Sequence, residues 1–177
     1  VAYTDKKNRL WILNVKNGEK VEADRCRYSG INHYSFSPDG QWVCYTKSSS
    51  NFMSSIWVYS LDSEETAKLT TDFNNDREPV FSLDGKYLYF ISQRDFIYGE
   101  REFEDRIYIG TLSRKTPSPM KPLNDEEVTG EKENEKEDDK EDVRIESIDS
   151  KGFAQRVVAL PLKHKRYYNI SAVNGGI

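Results

Sequence analysis

Apolar residues come in short bursts separated by polar, turn-forming clusters, and no segment sustains a helical period. RLWILNV at 9–15, WVCYT at 42–46, SIWVYSL at 55–61, YLYFI at 87–91 and RIYIGTL at 106–112 are rich in aromatic and β-branched residues. Side chains of this kind suit the pleated, half-buried surface of a strand. WVCYT and YLYFI are almost continuously apolar, which predicts strands covered on both faces. Asp39-Gly40 and Asp84-Gly85 punctuate these runs and predict tight hairpins, because glycine accepts the positive φ such turns require. Pro38 pre-sets φ on entry to the first hairpin, and Leu83 stands at the same place in the second.

The bursts repeat. HYSFSPDGQWVCYTKSS at 33–49 recurs as EPVFSLDGKYLYFISQR at 78–94, and RLWILNV, SIWVYSL and RIYIGTL are three versions of one strand. A period of about 45 residues with four strands and no helix predicts propeller blades. The fold class is therefore all-β: a β-propeller fragment of about three four-stranded antiparallel blades, open as an isolated chain. Expected strands lie near 1–4, 9–15 and 19–24; 33–37, 42–48, 55–60 and 65–70; and 78–82, 86–92, 106–112 and 154–160. A further strand near 167–173 opens the next blade. The blade boundaries are placed at 1–27, 31–72, 76–162 and 166–177. The chain does not begin with Met and reads as a piece of something longer. Unpaired sheet edges in such a piece predict association into a homo-oligomer.

Composition changes this picture in one place. The chain has 177 residues, a net charge of −4 and 32% charged residues. The stretch 125–142 alone holds 11 Asp/Glu against 3 Lys, so the rest of the chain is net basic. The insertion at 124–142 has too little apolar content to offset its ordering entropy, and disorder is expected there. Two cysteines, Cys26 and Cys44, make no disulfide framework, and the compartment stays open between cytoplasm and periplasm. No apolar run approaches the ~20 residues of a membrane helix, and no membrane partner is expected.

At this level of detail the chain resembles a known family. SPDG-turn blades resemble TolB-like propeller repeats. The ordered set from 87 to 175 is more specific: YLYFISQ at 87–93 with Arg94, Phe96 and Tyr98, TPSP at 116–119, a charged insertion, RVVALP at 156–161 and the run 168–175. Together these resemble the second, seven-bladed propeller of tricorn-type serine proteases. The resemblance implies a non-catalytic propeller segment of a peptidase. It would guide or filter peptides towards a serine-protease core located elsewhere in the parent chain, with peptides and those catalytic domains as partners. The alternatives are a TolB-like protein-binding scaffold and the propeller lid of a prolyl-oligopeptidase-type hydrolase.

Chemistry within the chain is sparse. No GxSxG elbow and no GxxxxGK[ST] loop occurs, and only His33 and His164 could act as bases. His33 opens a strand and reads as a blade-edge side chain; His164 lies in the basic turn KHKR. The calcium-like start at Asp72 has Arg77 and Leu83 where the loop needs Gly and Glu. No catalytic residue, metal site or cofactor is assigned, and four basic residues beside Tyr167 and Tyr168 do not carry a nucleic-acid reading. Asp39, Gly40, Asp84 and Gly85 are assigned as structural turn residues. The candidate site is the loop at 94–105, long for a hairpin. Its Arg94 and Arg101 could hold peptide carboxylates, and Phe96, Tyr98 and Phe103 could anchor a channel wall or interface. Substituting Arg94 and Arg101 is expected to change peptide handling.

Overall fold

The computed structural model describes residues 1–94, 96, 97, 102–120 and 143–177, with only the backbone at 96, 97, 102 and 103. The acidic insertion at 124–142, with its expected disorder, lies outside the described residues.

Three antiparallel sheets follow one another along the chain. The first contains β1 (Ala2–Thr4), β2 (Arg9–Leu13) and β3 (Lys20–Arg25) in that order. The second contains β4 (Ile31–Phe36), β5 (Trp42–Ser48), β6 (Ser54–Ser60) and β7 (Thr66–Lys68), again in chain order. The third is built from β8 (Asp76–Phe81), β9 (Tyr87–Ser92), β12 (Arg106–Thr111) and β13 (Val157–Ala159). A two-stranded ribbon, β10 (Phe96–Ile97) with β11 (Glu102–Phe103), projects between β9 and β12. The fold is an all-β propeller fragment whose sheets do not close into a ring.

The middle sheet explains the nearly continuous apolar runs. Successive strand side chains face opposite ways. Val43 and Tyr45 pack with Leu10, Ala23, Cys26 and Ile31 on one side, while Cys44, Ile56 and Val58 pack with Phe81, Leu88 and Phe90 on the other. Val43, Cys44 and Tyr45 are all fully buried. Each sheet-on-sheet layer therefore draws on alternate residues of one strand. At roughly 1.5–3 kcal/mol per buried large side chain, these two layers hold the blades together.

The outer edge of the third sheet departs from a plain strand. The expected strand at 154–160 is a single 3-10 turn over Phe153–Arg156 followed by the short β13. Phe153 is buried against β12 at Gly110, where a Cβ would sit 2.4 Å from the Phe153 ring. The tip of the ring, Cζ with the two Cε atoms, points at Gly110 and leaves no room for a side chain there. The stretch 167–173, expected as a strand, forms no ladder; an isolated bridge joins Val173 and Gly176. Three of its backbone groups bond side chains instead. Arg77 Nη2 donates to Tyr167 O at 3.0 Å, Tyr167 N to Asp105 Oδ2 at 3.1 Å, and Asn169 N to Glu78 Oε2 at 2.5 Å.

Candidate functional site

The sheets present their first strands, β4 and β8, as edges, and the segment 168–172 runs beside β8. These three segments share an unusual backbone. The β4–β5 ladder is interrupted between Asn32 and Ser35, and the β8–β9 ladder between Arg77 and Val80. His33 sits in the first interruption at φ 48 and Glu78 in the second at φ 52; Asn169 takes φ 54 in the third segment. Left-handed φ is costly for His and Glu and easier for Asn. Four residues beyond each begins a tight turn: Gly40 N to Ser37 O at 2.9 Å, Gly85 N to Ser82 O at 3.0 Å, and Gly176 N to Val173 O at 3.1 Å; the left-handed glycine is the last residue of the first two turns, Gly40 and Gly85, but the third residue, Gly175, of the last. The segment at 167–176 therefore shares with the two preceding inner strands the spacing of a left-handed residue and a turn, without their ladder.

The turns themselves are locked by their side chains. Ser37 Oγ donates to Asp39 Oδ1 at 2.5 Å and accepts Trp42 N at 2.9 Å; Ser82 Oγ does the same with Asp84 at 2.5 Å and Tyr87 N at 2.9 Å. Gly40 and Gly85 adopt φ 69 and φ 68. Asp39 has one further contact. Its Oδ2 accepts Ile145 N at 2.7 Å, and Trp42 Nε1 donates to Ile145 O at 3.1 Å. Burial pushes the Asp39 carboxyl up, but hydrogen bonds from Ser37, Ile145 and Gln41 outweigh it and hold the group below the usual carboxylate range. Residues 143–150 thus form a strap that crosses from the third blade to the turn of the second, with Ile145 buried.

Between the inner segments lies an open cleft of ≈ 420 Å³. One end carries Phe36, Pro38 and Leu83 beside the turns; the other carries the three left-handed residues His33, Glu78 and Asn169. Val80, Ile170 and Ser171 line its middle. A groove of this composition, bordered by strand edges, can hold an extended chain through main-chain hydrogen bonds and apolar contact. Behind it, Arg77 makes a bidentate pair with Asp105 at 3.0 and 2.6 Å. Burial again opposes ionisation of Asp105, yet the Arg77 guanidinium and the Tyr167 N–H keep its pKa below the ordinary value.

The loop at 94–105 is only partly part of this picture. Arg94 Nη2 donates to both oxygens of the fully buried Asp76 at 3.1 and 3.3 Å, and Nε donates to Ser92 Oγ at 3.0 Å. The guanidinium also lies 4.4 Å from the Tyr108 ring centroid. Arg94 is thus tied to Asp76 and Ser92 within the blade. Phe96 and Phe103 are backbone partners across the ribbon. Tyr98 and Arg101 lie outside the described residues. The groove at His33, Glu78 and Asn169 escaped the sequence reading, in which His33 was assigned to the blade edge. The available signal was their common place, seven residues ahead of Gly40, Gly85 and Gly176.

Comparison with known proteins places the chain. The tricorn protease second beta propeller domain matches it over residues 1–177. Tricorn protease homolog 1 of Streptomyces coelicolor is 29% identical over 185 residues, covering 100% of this chain and 17% of the relative. A tricorn protease homolog of Saccharolobus solfataricus is 24% identical, covering 97% of this chain and 15% of that protein. The crystal structure of the tricorn protease superposes with a TM-score of 0.70 over 94% of this chain and 16% of its own, at 18% identity, a likeness of fold. The chain thus spans about a sixth of the length of these relatives. By its match from end to end, the chain belongs to the family of tricorn protease second β-propeller domains.

Proposed function

We propose that this segment is non-catalytic and forms part of a wall along which peptides are guided and filtered on the way to a serine-protease core elsewhere in the full-length protein. The observation that carries the reading is the groove itself. Three successive inner segments line one cleft with an apolar end and a polar end, and two of them, β4 and β8, are sheet-edge strands. Main-chain pairing along an edge tolerates many side chains, which suits a path for peptides of varied sequence. The same reading has the full-length protein working as an assembly; β1 has a strand neighbour on one side only and can accept another.

The test uses the full-length protein and a series of peptides of increasing length. Ser171→Trp adds bulk at an exposed position in the middle of the groove. It should lower kcat/KM for long peptides while short ones are cleaved as before. Equal loss at every length, or none at any, refutes guidance through this groove. A folded full-length protein that cleaves no peptide refutes the peptidase reading and leaves a binding scaffold in its place.

A further inference from the structure

We infer that Glu78 is a recognition point for a cationic group, an ammonium or guanidinium, on a peptide lying in the groove; the inference rests on the conduit reading above and names the chemistry that the groove selects. Glu78 is the one formally charged residue among the described residues that line the cleft. Its counterparts in position, His33 and Asn169, carry an imidazole and an amide in place of the carboxylate.

The one cation behind Glu78 among its described contacts, Arg77, is shared with Asp105. Arg77 lies nearest, but its Nε is 3.9 Å from Glu78 Oε1, beyond hydrogen-bond range. The Arg77 guanidinium is spent on two bonds to Asp105 and one to Tyr167 O. Arg77, Asp105 and Glu78 together carry one excess negative charge. Asp105 is closed off from solvent and already paired. The excess therefore belongs to Glu78, whose side chain is only 12% exposed. Oε2 accepts Asn169 N at 2.5 Å, and Oε1 retains acceptor capacity. A carboxylate that has lost most of its water and faces a groove gains from a cation that brings charge-assisted hydrogen bonds. The bulge keeps it there at φ 52, a backbone conformation that a Glu does not adopt without surrounding constraint.

The ammonium could come from the peptide's own N-terminus or from a Lys side chain, and a guanidinium from Arg. Four peptides of equal length and identical scissile segment separate these sources: free N-terminus, N-acetylated, N-acetylated with one Lys near the N-terminus, and N-acetylated with one Glu there. The full-length protein should favour the free or Lys peptide over the acetylated neutral one by about threefold or more in kcat/KM, as for a partly screened charge pair. Glu78→Gln keeps an acceptor for Asn169 N and should bring that ratio to about one. His33→Glu adds a carboxylate at the equivalent exposed bulge and should raise it. A preference that follows the Lys but not the terminus assigns the side chain, and the reverse assigns the terminus; either supports the inference. No charge preference in the unsubstituted protein, or the same ratio after Glu78→Gln, overturns it. Length selection among the neutral peptides is read separately, so failure of the conduit reading is distinguishable from failure of the charge preference.

Discussion

Gly40 and Gly85 occupy the same turn in neighbouring blades, at φ 69 and φ 68, and differ in what surrounds them. A Cβ at Gly40 meets nothing within 4 Å, whereas one at Gly85 would lie 2.8 Å from Val143 Cγ1 and 3.0 Å from Ile145 Cγ1. Gly40→Ala therefore carries the left-handed backbone penalty alone, roughly 1 kcal/mol. Gly85→Ala carries the same penalty and must also lift the strap by several tenths of an ångström. Overpacking of this kind costs about 1–3 kcal/mol. Lifting the strap also weakens the bond from Ile145 N to Asp39, which stands at 2.7 Å. Hydrogen exchange by mass spectrometry on the full-length protein reads the difference locally. In Gly85→Ala, peptides covering 143–150 should exchange about tenfold faster or more, since 1.4 kcal/mol is a factor of ten in an opening equilibrium. In Gly40→Ala they should exchange as in the unsubstituted protein. Equal loss of thermal stability in both variants, with strap exchange unchanged in both, would show that the strap does not rest on Gly85.

Two other substitutions probe the charged interior. Arg94→Ala strands Asp76, which is fully buried, and should cost about 3–5 kcal/mol by removing one partner of a buried pair; a loss in thermal unfolding below about 1 kcal/mol would contradict the pairing. Asp105 has a folded pKa below its unfolded value of about 4, so its contribution is present above pH 4 and is lost as pH falls through the folded value. The Tm gap between the unsubstituted protein and Asp105→Asn should therefore be constant near neutrality and shrink progressively below pH 4; a gap as large at pH 2 as at neutrality would refute it.

Much of the blade order is written in local patterns. The turns at Asp39-Gly40 and Asp84-Gly85 and the strands between them need only a few neighbouring residues each, so the 45-residue repeat exposes them. Even the two-sided burial of β5 follows from its unbroken apolar run. What escaped depends on partners distant in sequence. Arg94 looks like a free loop arginine until Asp76, a residue of another strand, is brought under it. The stretch 167–173 has strand-like composition, yet its backbone at Tyr167 and Asn169 meets side chains of Arg77, Glu78 and Asp105 rather than a ladder. The groove was hidden for a related reason: bulges are set by ladder register, and no single residue type announces one.

The strap also sets a timetable for synthesis. Ile145 N must reach Asp39, 106 positions earlier in the chain. At roughly 5–20 residues per second, the second blade waits about 5–20 s between emergence of its first turn and arrival of the residue that caps it. During that interval Trp42 Nε1 lacks its Ile145 acceptor and the apolar floor under Ile145 is open to water. The acidic stretch leaves the ribosome within the same interval, just ahead of the strap. Lengthening the stretch would delay closure in proportion to the added residues, while the closure entropy would rise only logarithmically.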